Sequence, residues 1–219
     1  MAQQILVIGL GQFGMSLAKT LSEKGAEVIA VDIRKELVEE AAVFVTEAVA
    51  MDVTDENELA GLQPGERDSA ICAIGDESKE ASIICTALLR QMGNPLVIAR
   101  ANSAVLQRIL QLVGAHQIIN PEQEFGKRFA NRLLYNNVIV DTALGEDLQL
   151  TEICVLPSMV GKNLIELSLP KRFGVMVAAI RKGKSGRIQQ PVPDVALQEN
   201  DHLVIVSNES AIPRLIEGA

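Results

Sequence analysis

The chain has 219 residues, enough for one large domain or a medium domain with a small one, and its 48% hydrophobic content supports a full core. Acidic side chains outnumber basic ones by 28 to 20, the net charge is −8 and aromatic residues make up 3%, which excludes a nucleic-acid binder built on basic patches and stacking rings. The chain runs into its first apolar segment without a basic leader, and no stretch of about 18 consecutive apolar residues occurs, so a cytoplasmic protein is expected.

Residues 5–8 form the first apolar run and predict a strand. Gly9-Leu10-Gly11-Gln12-Phe13-Gly14 follows, and Phe13, Leu17 and Leu21 then recur at i, i+4 and i+8 up to Gly25, the spacing of a helix that ends on glycine. Strand, glycine-rich turn and helix make a nucleotide-binding fingerprint. The chain must turn sharply, bring its backbone to a phosphate with no Cβ in the way, and pack the helix on the strand. The first N–H groups of the helix then face an anion. Asp32 lies eighteen positions past Gly14, at the tip of the next apolar run (28–31), where a carboxylate accepts hydrogen bonds from both ribose hydroxyls. Its charge disfavours a 2′-phosphate unless Arg34 compensates. The competing reading is a turn of the same shape that packs a helix and binds nothing.

Further apolar runs at 48–51, 69–74, 96–99 and 117–119 alternate with helical patterns. Six such β/α repeats predict an α/β fold: a Rossmann-like, doubly wound, six-stranded parallel sheet covered on both faces. Gly93-Asn94-Pro95 stops one helix, Asn102-Ser103 caps the next, Gly114 ends it, and Pro121 suits the first turn of another. The strand tips share the carboxyl edge, where open α/β sheets bind ligands. Asp52 ends the third strand, within reach of an adenine amino group; Gly75-Asp76 ends the fourth, beside phosphates or ribose; Arg100 ends the fifth, near an anionic ligand. Each alone reads equally well as a solvated loop charge, and their common edge is what groups them.

Asn120-Pro121-Glu122 opens a helix predicted to reach about Tyr135, with Phe125, Phe129 and Leu133 in one stripe. That stripe needs a host, either a neighbouring subunit or the same sheet, and Asn136-Asn137 marks a break. Beyond about Asp141, short strands are predicted at 149–156, 175–180, 187–189 and 203–206, with a short helix near 163–167, a turn over 182–186 and a closing helix from about Glu209. This is a small α+β domain of under 80 residues, marginal alone and expected to dimerise. The predicted division is 1–135 with its helix 121–135, a linker at 136–141, and a second domain at 142–219. Cys72, Cys85 and Cys154 are odd in number and widely spaced, as reduced thiols are, and His116 and His202 lack metal-ligand spacing.

GLGQFG, the VDIR tip, the third-strand Asp52, the AIGDE loop, the IAR strand end, the IINPE step into a long helix and the small β-rich tail together resemble the RCK (KTN) proteins, cytosolic gating subunits of Trk and Ktr potassium-uptake systems. The similarity covers essentially the whole chain, and the two-domain size matches a Ktr-type regulatory subunit. The resemblance implies that the N-terminal lobe binds ATP, ADP or NAD(H) and that the helix at 121–135 crosses over to a partner. Homodimers are then expected to assemble into an octameric ring on the cytosolic face of the membrane, beneath a membrane-embedded potassium-translocating subunit. It further implies that Gly9, Gly11, Gln12, Phe13 and Gly14 run along the phosphates, that Asp32 holds the ribose with Ile33 and Arg34 beside it, that Asp52 and Val53 flank the base, and that Ile74, Gly75 and Arg100 close the site. Glu122 matches a family carboxylate that, in Ktr-type relatives, can hold a cation between facing nucleotides, and some Ktr-type tails bind a cyclic dinucleotide. One position departs: Ktr-type sequences usually carry Arg where Gln12 stands, and that Arg meets the triphosphate, whereas Gln is more usual in Trk-type relatives. The choice among ATP, ADP and NAD stays open on these residues.

An enzyme is not expected. A dehydrogenase on this scaffold needs an acid or base aimed at the substrate carbon. The sole tyrosine, Tyr135, has Ile139 rather than Lys four residues on, the tail offers only His202, and no GxxxxGK[ST] loop occurs. The alternative reading is an NAD-dependent oxidoreductase or redox sensor on a Rossmann domain.

Overall fold

Continuous apolar strands such as Val28-Ile29-Ala30-Val31 bury both of their faces, which dictates a layer of helices on each side. The computed structural model describes residues 2–134, 138–145, 148–208 and 210–218; Tyr135, the Asn136-Asn137 break and Glu209 lie outside the described residues, as do the side chains of Asp76 and of residues 131, 132, 138–141 and 143. Strands β1 (Gln4–Ile8), β2 (Glu27–Asp32), β3 (Glu47–Ala50), β4 (Ser69–Cys72), β5 (Val97–Arg100) and β6 (Gln117–Ile119) form one parallel sheet in the order β3-β2-β1-β4-β5-β6. Helices α1 (Gln12–Glu23), α2 (Lys35–Ala41), α3 (Glu56–Ala60), α4 (Lys79–Gln91), α5 (Ala104–Leu112) and α6 (Pro121–Leu134) follow the successive strands.

Alternation along β1 sorts the two faces. Ile5 and Val7 pack with Leu17, Leu21 and Val38 of α1 and α2, while Leu6 and Ile8 pack with Leu59, Leu89, Leu106 and Leu110 of α3, α4 and α5. Each fully buried Leu or Ile stabilises the layer by about 1.5–3 kcal/mol. The helix ends follow the expected chemistry: Gly25, at φ +87°, turns the chain out of α1, and the Ser103 hydroxyl accepts from the Leu106 amide at 3.3 Å to start α5. Strand order reverses between β1 and β4, so a crevice opens at their carboxyl ends.

The chain divides into two compact units, Met1–Glu124 and Phe125–Ala219. The division falls inside α6, whereas the sequence places it at 136–141. Much of that expected linker is a strand, β7 (Val138–Ala143), paired antiparallel with β8 (Gln149–Cys154); the Asn136-Asn137 break masked the β-branched run behind it.

The second unit is a sheet ordered β10-β9-β11-β8-β7, with β9 (Met176–Arg181), β10 (Ile188–Gln189) and β11 (His202–Ser207). Helices α7 (Leu164–Leu167), α8 (Leu169–Phe173) and α9 (Ala211–Gly218) complete it. Leu203 and Ile205 of β11 point into a core with Ile153, Leu167, Phe173 and Leu215, leaving Val204 and Val206 half-buried on the other face. Asn163 and Glu166 close a reciprocal capping box on α7, each side chain meeting the other's amide at 2.9 Å. Two ion pairs brace the sheet: Glu152 accepts from Arg181 Nε at 2.7 Å and contacts His202 Nδ1 at 2.8 Å, and Lys182 donates to Asp201 at 2.6 Å. Cys72 and Cys85 are buried free thiols, and Cys154 is half-buried and free. Among the described residues no helix is long and apolar enough to cross a membrane.

Candidate functional site

The three glycines of the first turn serve different physical ends. Gly9 sits at φ +91°, and a Cβ there would lie 2.9 Å from the Ile74 amide nitrogen of the neighbouring strand's loop. A Cβ on Gly14 would run into the Gly9 carbonyl oxygen, so α1 rests directly on the turn. Gly11 is the opposite case. A Cβ there meets nothing within 4 Å, and the residue lines an open cleft. Gly11 is also the N-cap of α1 and supplies no side-chain cap, so the first amides of the helix, which have no partner within it, are left to a ligand or water.

Asp32 braces this turn from the tip of β2. One carboxylate oxygen accepts from the Leu10 amide at 2.6 Å, and the other from the Arg34 amide at 2.9 Å and Arg34 Nε at 3.1 Å. Burial pushes the carboxyl pKa up, but the hydrogen bonds from Arg34 and the Leu10 amide outweigh it and hold the group below the usual carboxylate range. Asp52 also lies below that range, because the Thr54 hydroxyl and amide donate to it at 2.7 and 2.9 Å. Both acids are therefore ionised at neutral pH, suited to accepting hydrogen bonds rather than exchanging protons.

The cleft holds about 500 Å³ at the carboxyl ends of β1, β2 and β4, within the range of small-ligand sites. Of the residues singled out in the sequence, Gly9, Gly11, Asp32, Ile33, Arg34, Asp52, Val53 and Ile74 line it. Gln12, Phe13 and Gly14 do not; they form the first turn of α1 behind the Gly11 rim. Gly75 and Arg100 line a small recess that shares Ile74 with the cleft. The sequence reading missed Met51, Thr54, Glu77, Glu80 and Ile84. Glu77 belongs to the AIGDE loop, so the loop was the available signal; the Glu77 carboxylate folds over Gly75, where any Cβ would collide with it.

Arg100 and Glu122 are paired. The guanidinium donates to the Glu122 carboxylate and lies over the Phe13 ring, 5.7 Å from its centre. Within a single chain these residues do not fit a metal ion, since the one carboxylate is already matched by a cation, and no group of three or more His, Cys, Asp or Glu suited to a metal occurs among the described residues.

The TrkA-N domain matches residues 5–121 and the TrkA-C domain residues 150–217. The chain is 35% identical to the Ktr system potassium uptake protein C of Bacillus subtilis over 214 residues, covering 98% of this chain and 96% of that protein. It is 35% identical to the Ktr system potassium uptake protein A of Vibrio alginolyticus over 210 residues, covering 96% and 94%. Among solved structures, the GsuK RCK domain aligns with a TM-score of 0.64 at 21% identity, covering 99% of this chain and 47% of that one. The GsuK channel bound to NAD aligns with the same score and identity, covering 99% and 40%. The chain thus spans less than half the length of these GsuK chains, and the likeness there is one of fold. From its two domain matches and its near-full-length identity, the chain belongs to the TrkA-N/TrkA-C family of potassium-uptake proteins, with the Ktr system proteins A and C.

Proposed function

We propose that this chain is a nucleotide-sensing regulatory subunit of a Ktr-type potassium-uptake system, and that its cleft holds an adenine nucleotide without transforming it. One observation carries the reading: the open side of Gly11, the α1 N-terminus and ionised Asp32 converge on a single cleft of about 500 Å³. The diphosphate rests against the amides of residues 11–13 over Gly9 and Gly14, the ribose hydroxyls face Asp32 beside Arg34, and the base enters between Ile33 and Val53 with Asp52 at the rim. Ile74, Gly75 and Arg100 bound the other side. ADP, ATP and NAD(H) share the adenosine diphosphate that this arrangement reads, and the GsuK channel, which has the same fold, has been solved with NAD bound. With Gln12 in place of a cation, a third phosphate gains no ion pair at that position, so ADP and NAD(H) should bind at least as well as ATP.

The outer face of α6 supports an assembly of several copies. Phe125, Phe129 and Leu133 are 61%, 48% and 65% exposed, and the two rings stack at 5.7 Å, an apolar stripe that suits a partner subunit. Homodimers built on it would form the octameric ring beneath a membrane-embedded potassium-translocating subunit, at the cytosolic face. A cyclic dinucleotide, if one acts, would act on the second unit. Moving a ring from 1:99 to 99:1 takes about 5.5 kcal/mol of differential binding, or about 0.7 kcal/mol per site across eight sites, close to one charge at a helix terminus. Native mass spectrometry with calorimetry tests the reading. The expected result is an oligomer that binds ADP or NADH; a monomer giving no heat with millimolar ADP, ATP or NADH would overturn it.

A further inference from the structure

Four small side chains carrying sulfur or a hydroxyl interrupt the apolar layer between β4 and α4. Cys72 ends β4, and Ser82, Cys85 and Thr86 share one face of α4 at i, i+3 and i+4. All four are fully buried, and both sulfurs belong to the core cluster that holds Leu89, Val97 and Leu106. Burying a hydroxyl costs free energy unless it is hydrogen-bonded. Thr86 donates to the Ser82 carbonyl at 2.7 Å, and the Ser82 hydroxyl lies 3.6 Å from the Cys72 sulfur. The second thiol is set on the same atom. Cys85 donates to the Cys72 sulfur, and this contact, helped by Ser82 and the Ile74 amide, outweighs burial and holds Cys72 below the usual thiol range. The same contact, together with burial, pushes Cys85 well above that range.

A cysteine used only as a small apolar residue needs none of this. Here one sulfur is favoured as the thiolate and its neighbour keeps its proton, which are the states of an attacking and a resolving cysteine. Buried thiols are inert where no reagent reaches them. This pair lies behind a wall of the cleft: Ile74, two residues past Cys72, and Ile84, next to Cys85, both line it and are half-buried, and Ile74 packs against the cluster that contains both sulfurs. A hydroperoxide entering the cleft meets one layer of side chains before the sulfurs.

We propose that Cys72 and Cys85 are a redox-active dithiol that a hydroperoxide converts into a disulfide tying α4 to β4. The Cys72 thiolate attacks a peroxide oxygen, the O–O bond breaks, and the leaving oxygen takes up a proton to depart as water, leaving a sulfenic acid. Cys85 then attacks that sulfur, and its proton leaves with the displaced hydroxyl as a second water. Two thiols thus lose two electrons and two protons, and one hydrogen peroxide is reduced to two waters. Closing the sulfurs to about 2.05 Å draws α4 toward β4, and α4 carries Glu80, Ala81 and Ile84 of the cleft lining with it. The proposal concerns the sulfurs and stands whatever the cleft binds.

The test exposes wild type, Cys72→Ser, Cys85→Ser and Cys154→Ser to millimolar hydrogen peroxide in native buffer. Each is then read by intact mass, by peptide mapping after alkylation of the remaining thiols, and by hydrogen–deuterium exchange over residues 79–91. Wild type and Cys154→Ser should lose two hydrogens in mass, yield a linked Cys72–Cys85 peptide and exchange more slowly across α4, and dithiothreitol should reverse all three changes. Cys85→Ser should stop at a Cys72 sulfenic acid that dimedone traps, and Cys72→Ser should leave Cys85 a free thiol. The proposal is overturned if Cys72 and Cys85 are both recovered as alkylated thiols while Cys154 is oxidised, or if the linked peptide appears only in urea. Wild type and Cys154→Ser decide the matter even where a core cysteine variant does not fold.

Discussion

Gly11→Ala separates binding from folding. Gly11 has φ −61° and ψ −178°, open to any L-residue, and a Cβ there meets no protein atom within 4 Å. Two small terms then act on stability. Ala is a poorer N-cap than Gly by about 1 kcal/mol, and it restricts the unfolded chain by about 0.4–1 kcal/mol in the opposite sense. They nearly cancel, leaving the variant within about 0.5 kcal/mol of wild type. The methyl group nevertheless occupies the approach to the α1 amides. A phosphate forced away from them loses at least one charge-assisted hydrogen bond, about 1.5–3 kcal/mol, which corresponds to roughly a 10- to 150-fold weaker affinity for ADP. Thermal unfolding without ligand and calorimetry with ADP read the two effects separately. Wild-type affinity in a stably folded Gly11→Ala protein would refute the placement of the diphosphate on this turn.

Gly14→Ala should behave in the reverse way: the gain in helix propensity of about 1 kcal/mol is outweighed by collision with the Gly9 carbonyl, and a net loss of about 1–2 kcal/mol is expected from overpacking, measurable as a lower urea midpoint. Asp32→Ala leaves the buried Leu10 amide without its acceptor and should cost about 1–3 kcal/mol, whereas Asp32→Asn keeps an acceptor and should recover part of that loss without restoring nucleotide binding; an Asp32→Ala protein as stable as wild type would contradict the bracing role. Acid should destabilise both units. Asp32, Glu152 and Asp201 all have folded pKa values below their unfolded ones. For Glu152 the leading cause is the hydrogen bond from Arg181; for Asp201, burial raises the value but Lys182 and the Gln198 and Gly183 amides outweigh it. As pH falls, the unfolded chain takes up these protons first, so the stabilisation is complete above the ordinary carboxylate range and is lost as pH drops through it toward the folded values. The urea midpoint should therefore hold from pH 7 to about pH 5 and fall between about pH 5 and pH 3, and an unchanged midpoint across that lower window would count against these pairings.

The parallel sheet was legible because strands buried on both faces leave uninterrupted apolar runs, and a glycine turn followed by an acid at fixed distance is a local pattern. What was not legible depends on contacts that spacing does not encode. Asp32 reads as a ribose ligand from its place at a strand tip, but its hold on the Leu10 amide exists only because β1 and β2 are neighbours in register. Glu77 and Glu80 enter the cleft because β4 lies beside β1, bringing the next loop and the start of α4 to the glycine turn. In the second unit, α8 spans only 5 residues, too few to show a helical period, and Pro170 stands in its first turn, where its missing N–H costs nothing. Strand β7 was hidden behind the Asn136-Asn137 break.

Potassium flux through proteoliposomes that carry a Ktr-type membrane subunit, with this chain added under saturating ADP or ATP, tests the central claim most directly. The account predicts a flux that requires the chain and changes with the nucleotide, and that loses its nucleotide dependence in Gly11→Ala. Identical flux under every nucleotide, with binding verified by calorimetry, would contradict it.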